Sequence, residues 1–267
     1  MMFLVTILMS LFLAGSPGKE VPANQHDFKF VAHRGASYLA PENTLASIQL
    51  AWELDADAAE CDVMMSSDNK VLLFHDKNTK KLCGQNHVVS ETPWEILEKL
   101  EVKLRDSNRS EYKGETIPLL AEVLPTIPEG RMLVIEIKTG PEILPYLKEV
   151  VEAYQNSGKI SFIAFDFETI MGAKALFPQV PAYYLSSFQA NIHKNFEAIV
   201  SKKLDGVDLR HAIINKSLMQ KCEDAGLEVW CWTVNDPETA LKMKELGVTA
   251  VTTDRPRWLK EQIATIN

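Results

Sequence analysis

Short apolar runs alternate with amphipathic segments along almost the whole sequence, and this rhythm constrains the fold more than any other feature of the chain. Each run has the length of one buried strand, and the segment after it has apolar residues at helical spacing. We predict eight strands, near residues 30, 60, 134, 163, 183, 207, 231 and 250. Since strands that alternate with helices pair in parallel, the pattern predicts an α/β fold, a (β/α)₈ TIM barrel. A doubly wound open sheet is the alternative.

Two segments interrupt this rhythm after the second strand. Residues 71–74 (VLLF) predict an extra strand and not a ninth unit. Residues 77–114 are polar and contain no clear strand–helix unit, so we predict a small insertion there, with a short helix at residues 93–100. Because no linker divides the rest of the chain, we expect one barrel domain over residues 24–267.

The N-terminal segment has the composition of an export signal. Residues 1–18 carry no charged side chain, and their apolar part, residues 1–13, is too short to cross a bilayer as a helix. We predict a signal peptide over roughly residues 1–23, cleaved after Gly18 or Ala23. Ser16 stands where a lipoprotein signal carries cysteine, so we expect a periplasmic or secreted protein with no stable membrane anchor. A retained anchor or a misassigned start is the alternative.

Charge limits the partners of the chain. A net charge of -8 and a pI near 5.4 disfavour binding to nucleic acid or to an anionic membrane, because such binding relies on a broad positive electrostatic potential. A phosphate ligand would therefore need local positive charge or a metal ion. The four cysteines show no zinc-binding spacing. We expect buried free thiols, with a Cys222–Cys231 disulfide as the alternative.

Acidic residues end two of the predicted strands. Glu60 and Asp62 face the same side of the second strand, because side chains alternate along a strand, and Glu136 ends the third. Strand carboxyl ends meet at one mouth of a barrel. Three carboxylates there are costly to bury without a cation, and oxygen ligands favour Mg²⁺ or Ca²⁺. We predict that they bind one divalent cation; ion pairs with Lys138 or Arg34 are the alternative.

Two histidines and two cations follow strands at the same mouth. His33 and His75 have the side-chain type suited to general acid and general base catalysis, and hydrogen-bonded core histidines are the alternative. Arg34 and Lys138 suit a phosphate oxyanion, whether or not they also pair with the carboxylates. We expect Glu42 to support the site or contact substrate; a favourable charge at a helix N-terminus explains it equally well.

These residues fall in seven short motifs that together resemble the glycerophosphodiester phosphodiesterase family. The motifs are HRG at residues 33–35, PENT at 41–44, ECDV at 60–63, HD at 75–76, IEIK at 135–138, WTVN at 232–235 and TDRP at 253–256. Each is weak alone, but seven in family order are highly specific. The family fold is a (β/α)₈ barrel with an insertion after the second strand.

The resemblance implies hydrolysis of small-molecule glycerophosphodiesters to glycerol 3-phosphate and an alcohol, with one divalent cation. It implies that the metal ligands are Glu60, Asp62 and Glu136. It also implies that His33 and His75 form the acid–base pair and that Arg34 and Lys138 contact the phosphate. It adds Trp232 as an apolar wall for the glycerol or head group, with packing at the barrel mouth as the alternative. Water, or the substrate's own glycerol hydroxyl acting through a cyclic phosphate, is the expected nucleophile.

Two other functions are compatible with the same residues. A lysophospholipase D or a sphingomyelinase-D-like enzyme would share the metal site and the histidines and would differ in its head-group contacts. A barrel that binds a phosphodiester without hydrolysing it would be expected to lack a ligand or a histidine, and neither is missing here.

Overall fold

The computed structural model describes residues 28–104, 112–154 and 159–266. The predicted signal peptide and part of the predicted insertion, residues 105–111, lie outside the described residues. The strands are β1 (Lys29–Ala32), β2 (Ala58–Met65), β3 (Val71–Leu73), β4 (Met132–Ile137), β5 (Ile160–Ala164), β6 (Ala182–Ser186), β7 (Gly206–Arg210), β8 (Glu228–Trp232) and β9 (Ala250–Thr253). The α-helices are α1 (Leu45–Glu53), α2 (Lys80–Cys83), α3 (Trp94–Leu97), α4 (Leu120–Val123), α5 (Leu144–Tyr154), α6 (Phe167–Leu176), α7 (Gln189–Ser201), α8 (Lys216–Asp224), α9 (Pro237–Glu245) and α10 (Pro256–Ile266).

Eight of the strands form a closed parallel barrel. They are bonded in the order β1-β9-β8-β7-β6-β5-β4-β2, and β1 also pairs with β2, which closes the ring. The predicted (β/α)₈ barrel is therefore confirmed over the open-sheet alternative. The extra strand was also predicted correctly: β3 lies outside the ring and pairs antiparallel to β2.

Side-chain alternation divides the core into an inner and an outer layer. Inside the barrel, Val31, Ala58, Val134, Ile163, Tyr183, Leu185, Trp230 and Ala250 form a cluster separate from the larger one between strands and helices. The inner cluster fills the barrel below its carboxyl end, as is usual for this fold. Glu60, Asp62, Glu136 and Asp208, which stand nearer the carboxyl ends of their strands, lie above this cluster, toward the mouth.

Several helices begin at a side-chain cap in the loop that follows a strand. Thr44 caps α1 reciprocally, because its Oγ1 accepts from the Ser47 backbone N–H while the Ser47 Oγ accepts from that of Thr44. Asp166, Asn215 and Asp236 cap α6, α8 and α9 with their side-chain oxygens. These caps fix the starts of the helices and hence the loops that carry the barrel mouth.

The described residues between β3 and α4 pack as a small unit with its own apolar cluster. Its buried members are Met64, Leu72, Phe74, Leu82, Cys83, Val89, Leu97, Leu100, Val102 and Ile117. The short helix α3 lies within the range predicted for it. This unit follows β2 and β3 and therefore stands on the mouth side of the barrel.

The four cysteines are all buried and free, so the structure shows no Cys222–Cys231 disulfide. Among the described residues no helix combines the length and the apolar character needed to cross a membrane.

Candidate active site

A compact pocket of about 120 Å³ opens at the carboxyl end of the barrel. It is lined by His33, Arg34, Glu60, His75, Glu136, Lys138, Ile163, Phe165, Leu185, Asp208, Trp232, Thr233 and Thr252. Seven of the nine site residues predicted from the sequence therefore line one pocket. The other two, Glu42 and Asp62, lie behind this lining and contact it.

The three predicted carboxylates lie together on β2 and β4. In the parallel register Asp62 stands directly opposite Glu136, and Glu60 is two residues earlier on the same face of β2. One oxygen from each carboxylate lies within 4.8 Å of the others. Glu60 and Asp62 are buried, whereas Glu136 is partly exposed.

The electrostatics of this cluster are those of crowded acids. Burial, together with the charges of Asp62 and Glu136, raises the pKa of Glu60 well above its ordinary value. Burial and the charge of Asp62 raise the pKa of Glu136 to about 7, although Lys138 opposes this. Burial alone would raise the pKa of Asp62 too, but Arg34, Lys138 and His75 outweigh it and lower that pKa. Three ionised carboxylates this close repel one another, and the raised pKa values of Glu60 and Glu136 reflect that crowding.

The donor set fits a hard divalent cation. Glu60 Oε1 and Asp62 Oδ1 are buried without a hydrogen-bond partner, which is costly unless another group satisfies them. Carboxylate oxygens at this spacing are the ligands that Mg²⁺ and Ca²⁺ take. Glu60, Asp62 and Glu136 are therefore the residues that could hold such an ion.

Arg34 is held beside the cluster by three carboxylates. Its Nη1 donates to Glu42 Oε1 at 2.7 Å, its Nε lies 3.2 Å from Asp62 Oδ2, and its backbone N–H donates to Glu60 Oε2 at 2.8 Å. Burial works to lower the pKa of Arg34, but the charges of Asp62, Glu42 and Glu60 raise it. The side chain therefore stays charged at the pocket wall, and Glu42 is the residue that fixes one of its ends.

The turn that presents Arg34 depends on glycine. Arg34 and Gly35 both have positive φ, 54° and 74°. A Cβ on Gly35 would lie 2.5 Å from the backbone carbonyl carbon of Ser47, at the first turn of α1. Gly35 therefore serves close packing of this turn on α1, which in turn sets the position of the neighbouring arginine.

Lys138 is the second cation of the pocket. Its Nζ lies 2.7 Å from Glu136 Oε1 and 3.7 Å from Asp62 Oδ1, and 5.8 Å from the centre of the Phe165 ring. Burial opposes its charge, but Glu136 and Asp62 raise its pKa. Arg34 and Lys138 thus each pair with a carboxylate and also line the pocket, so ion pairing and phosphate binding are compatible roles for both.

Each histidine is oriented by its own aspartate. His33 Nδ1 lies 2.7 Å from Asp254 Oδ1, and His75 Nδ1 lies 2.7 Å from Asp76 Oδ1. Asp254 is itself held by Asn235, whose Nδ2 donates to Oδ2 at 2.6 Å. With Nδ1 engaged, each ring has Nε2 free to exchange a proton with a ligand.

Burial lowers the pKa of His75, and the charges of Arg34 and Lys138 act in the same direction. Asp62 and the bond to Asp76 oppose this shift without cancelling it. His75 is therefore largely neutral at pH 7 and able to accept a proton. A cation among the carboxylates would lower this pKa further, since like charges repel.

Part of the pocket wall is aromatic and apolar. Trp232 and Phe165 meet edge to face, with ring centres 5.4 Å apart, and Trp232 Nε1 donates to the backbone oxygen of Asp208. Ile163 and Leu185 complete this side. The pocket thus has one strongly charged side and one side suited to the hydrocarbon part of a ligand.

Four polar residues at this site were not assigned a role in it from the sequence. Asp76 and Asp254 orient the histidines, and Asn43 bridges to Asp62 with both atoms of its amide, donating to Oδ2 at 2.8 Å and accepting from the backbone N–H at 2.9 Å. Asp208, on β7, lines the pocket opposite the cations. Period-two alternation around Val207 and Leu209 could have identified Asp208 as an inward-facing acid.

The chain is similar to known proteins over most of its length. The model of the Glycerophosphoryl diester phosphodiesterase family matches residues 33–257. A glycerophosphodiester phosphodiesterase from Caldanaerobacter subterraneus subsp. tengcongensis is 27% identical over 86% of this chain and 95% of that protein. The human protein Lysophospholipase D GDPD1 is 24% identical over 87% of this chain and 85% of that one.

A solved structure shows the same fold. A phosphodiesterase from Oleispira antarctica, determined in complex with the product sn-glycerol-3-phosphate, superimposes with a TM-score of 0.81 at 28% identity. The match covers 88% of this chain and 96% of that one. The similarity therefore extends over most of the chain and nearly all of that structure.

Proposed function

Because this chain belongs to the glycerophosphoryl diester phosphodiesterase family, and so is a phosphoric diester hydrolase, we propose that it cleaves glycerophosphodiesters to glycerol 3-phosphate and an alcohol in the pocket at the barrel mouth. The observation that carries the proposal is the placement of His33 and His75, each paired with an aspartate, in the same pocket as three clustered carboxylates. The glycerol 3-phosphate bound to the Oleispira antarctica relative supports the same product class.

We propose that Glu60, Asp62 and Glu136 bind one Mg²⁺ or Ca²⁺. When bound, such an ion supplies positive charge that stabilises the phosphoryl oxygens as charge develops on them. The two buried oxygens without partners, on Glu60 and Asp62, support this role. Asn43 and Arg34 hold Asp62 in place from behind, so the carboxylate is oriented before a ligand arrives.

In this proposal Arg34 and Lys138 contact the non-bridging oxygens of the phosphodiester. Both remain charged, because neighbouring carboxylates raise their pKa values, and both face the pocket. Glu42 restrains the guanidinium from the other side. Positive groups fixed before the substrate binds stabilise developing charge without reorganising, which is where most electrostatic catalysis originates.

The histidines carry the protons. We assign the role of base to His75, since its lowered pKa leaves it neutral at pH 7, and the role of acid to His33, which delivers a proton to the leaving alkoxide. Asp76 and Asp254 engage Nδ1 of the two rings, and both rings line the pocket. The proton that His75 removes belongs either to water or to a glycerol hydroxyl that attacks to give a cyclic phosphate.

A second candidate substrate is a lysophospholipid. Four aromatic side chains on segments that follow barrel strands are exposed, Tyr38, Phe165, Phe188 and Trp258, at 55%, 42%, 65% and 38%, and Phe165 also lines the pocket. Apolar residues grouped at a site entrance are suited to an acyl chain or a lipid surface. The similarity to the human lysophospholipase D supports this candidate as well.

A substrate panel tests the proposal and separates the candidates. Purified enzyme is assayed with glycerophosphocholine, glycerophosphoethanolamine and lysophosphatidylcholine, each with Mg²⁺, Ca²⁺ or chelator. Glycerol 3-phosphate release from the first two substrates supports the principal proposal, and choline release from lysophosphatidylcholine supports the second. Absence of turnover with every substrate and cation would indicate a binding protein instead. The export signal stays a separate proposal, tested by fractionating cells of the source organism.

A further inference from the structure

A buried acid on the far wall of the pocket has no part in the mechanism above. Asp208 sits on β7, opposite Leu185 of β6 and Trp230 of β8, and is 1% exposed. Its Oδ1 is buried without a hydrogen-bond partner in the described part of the chain. A buried carboxyl oxygen without a hydrogen bond raises the free energy of the folded protein. Asp208 therefore needs a hydrogen-bond partner, and the described residues do not supply one for Oδ1.

The surroundings of Asp208 define what that partner can be. The side chain lines the same pocket as the carboxylate cluster, but it is not one of the residues that bring oxygens within 4.8 Å of each other. Its neighbours on the wall, Ile163 and Leu185, are hydrocarbon, and Trp232 donates to its backbone oxygen and not to its carboxyl. Arg34 and Lys138 are occupied by other acids.

We propose that Asp208 is a specificity-determining residue that hydrogen-bonds a hydroxyl group of the glycerol moiety of the substrate. This inference rests on the proposed function, because it places the phosphate at Arg34 and Lys138. A carboxyl group repels a phosphate but pairs with a hydroxyl, which can donate to it or accept from it. The pocket, at about 120 Å³, has room for a small polyol and much less than the space of a drug-sized ligand site. The head group then lies outside the pocket, near the exposed aromatic side chains.

The inference predicts discrimination against ligands that lack the hydroxyls. A site built around a substrate hydroxyl rejects the analogue without it, because its own buried polar group is then left unpaired. Glycerol 3-phosphate and n-propyl phosphate share a phosphate and a three-carbon chain, and n-propyl phosphate lacks both hydroxyls. The difference between the affinities of the two ligands therefore measures the contribution of the hydroxyl groups, and no turnover is needed.

The experiment is calorimetric titration of the Mg²⁺-supplemented protein with each ligand. The wild type is expected to bind glycerol 3-phosphate at least tenfold more tightly than n-propyl phosphate. Asp208→Ala is expected to weaken glycerol 3-phosphate binding about tenfold and to leave n-propyl phosphate unchanged, so that the preference disappears. Asp208→Asn, which keeps hydrogen-bonding atoms, is expected to retain part of it.

A matched control is available in Ser161→Ala. Ser161 is fully buried on β5, and its Oγ also lacks a partner, but it does not line the pocket. This variant is expected to bind both ligands as the wild type does. Equal loss of both ligands in Asp208→Ala, or no preference in the wild type, overturns the inference. A preference that persists in Asp208→Ala also overturns it. If the preference disappears in Asp208→Ala but the wild type hydrolyses no phosphodiester, the proposed function fails and the hydroxyl contact stands.

Discussion

His33 Nδ1 and Asp254 Oδ1 lie 2.7 Å apart although 221 residues separate them in the chain. Closure of the barrel brings them together, because β1 and β9 are neighbours and each residue follows its strand directly. Asn235, after β8, holds the other oxygen of Asp254. Residues that follow three neighbouring strands, β1, β9 and β8, therefore fix the imidazole of His33.

The first prediction concerns this pair. Asp254→Asn keeps the size of the side chain but weakens its hold on the His33 ring, and we expect kcat to fall on the order of 10²-fold with little change in KM, as misplacement of a reacting group does. Steady-state kinetics with glycerophosphocholine measures this. Asp236→Asn is the control, since Asp236 is exposed, caps α9 and can be replaced by another capping residue. Equal kinetics in the two variants would argue against a positioning role for Asp254.

The second prediction tests the histidines themselves. His33→Ala and His75→Ala should each lower kcat by ~10²–10⁴, the usual contribution of a general acid or base. Circular dichroism and the cation affinity should stay near those of the wild type, because neither ring is among the acidic ligands. Near-normal turnover in either purified variant would remove that residue from the mechanism.

The third prediction uses cation binding as a stability measurement. Wild-type protein should gain about 2.7 kcal/mol at a cation concentration one hundred times Kd, and its Tm should rise accordingly. Glu60→Gln should lose this response, because it removes a charged ligand while keeping the shape of the side chain. Glu98→Gln, on the exposed surface of the insertion, should respond like the wild type. A cation-induced rise in Tm that persists in Glu60→Gln would place the ion elsewhere.

The fourth prediction is a pH dependence of cation affinity. Glu136 has a pKa of about 7 and that of Glu60 is raised well above its ordinary value, so these carboxyl groups hold protons near neutral pH in the cation-free protein. A cation must displace these protons, and its affinity should therefore rise from pH 6 to pH 8. Calorimetry at pH 7 in two buffers of different ionisation enthalpy should show proton release on binding. An affinity that is constant over this range would contradict the crowding of acids described here.

The fifth prediction compares two glycines with the same backbone conformation. Gly35 and Gly130 both have φ of 74°, but a Cβ would meet the backbone of Ser47 only at Gly35 and has open space at Gly130. Gly130→Ala should cost ~1–3 kcal/mol from backbone strain alone. Gly35→Ala should cost more and should also lower activity, since it displaces the turn that carries Arg34. Urea unfolding and kinetics measure the two effects, and equal costs would show that the contact with α1 is unimportant.

The sequence was sufficient to predict the barrel and most of the side chains that gather at its mouth. Strand and helix periodicities are local, and they identified all eight barrel strands and the extra strand after the second. Alternation along β2 placed Glu60 and Asp62 on one face, and the parallel register then set Asp62 opposite Glu136. These features required only the fold and the rule that strand carboxyl ends share one mouth.

The residues that orient the site were harder to predict, because their roles depend on distances across the closed barrel. The sequence shows Asp254 only as a polar residue after the last strand. Its contact with His33 depends on closure of the barrel, which brings the first and last strands together. The amide of Asn43 pairs with Asp62, while the neighbouring Thr44 caps α1. Its positive φ of 56° turns it toward β2, which a sequence pattern does not reveal.

One titration tests the central claim most directly, namely that Glu60, Asp62 and Glu136 gather a divalent cation on which turnover depends. Chelator-treated enzyme is titrated with Mg²⁺ or Ca²⁺, and bound cation and glycerol 3-phosphate release are followed in the same samples. We predict that turnover is absent in chelator and that binding and activity saturate together at one ion per chain. Full turnover in excess chelator, or activity that returns without a bound ion, would contradict the account.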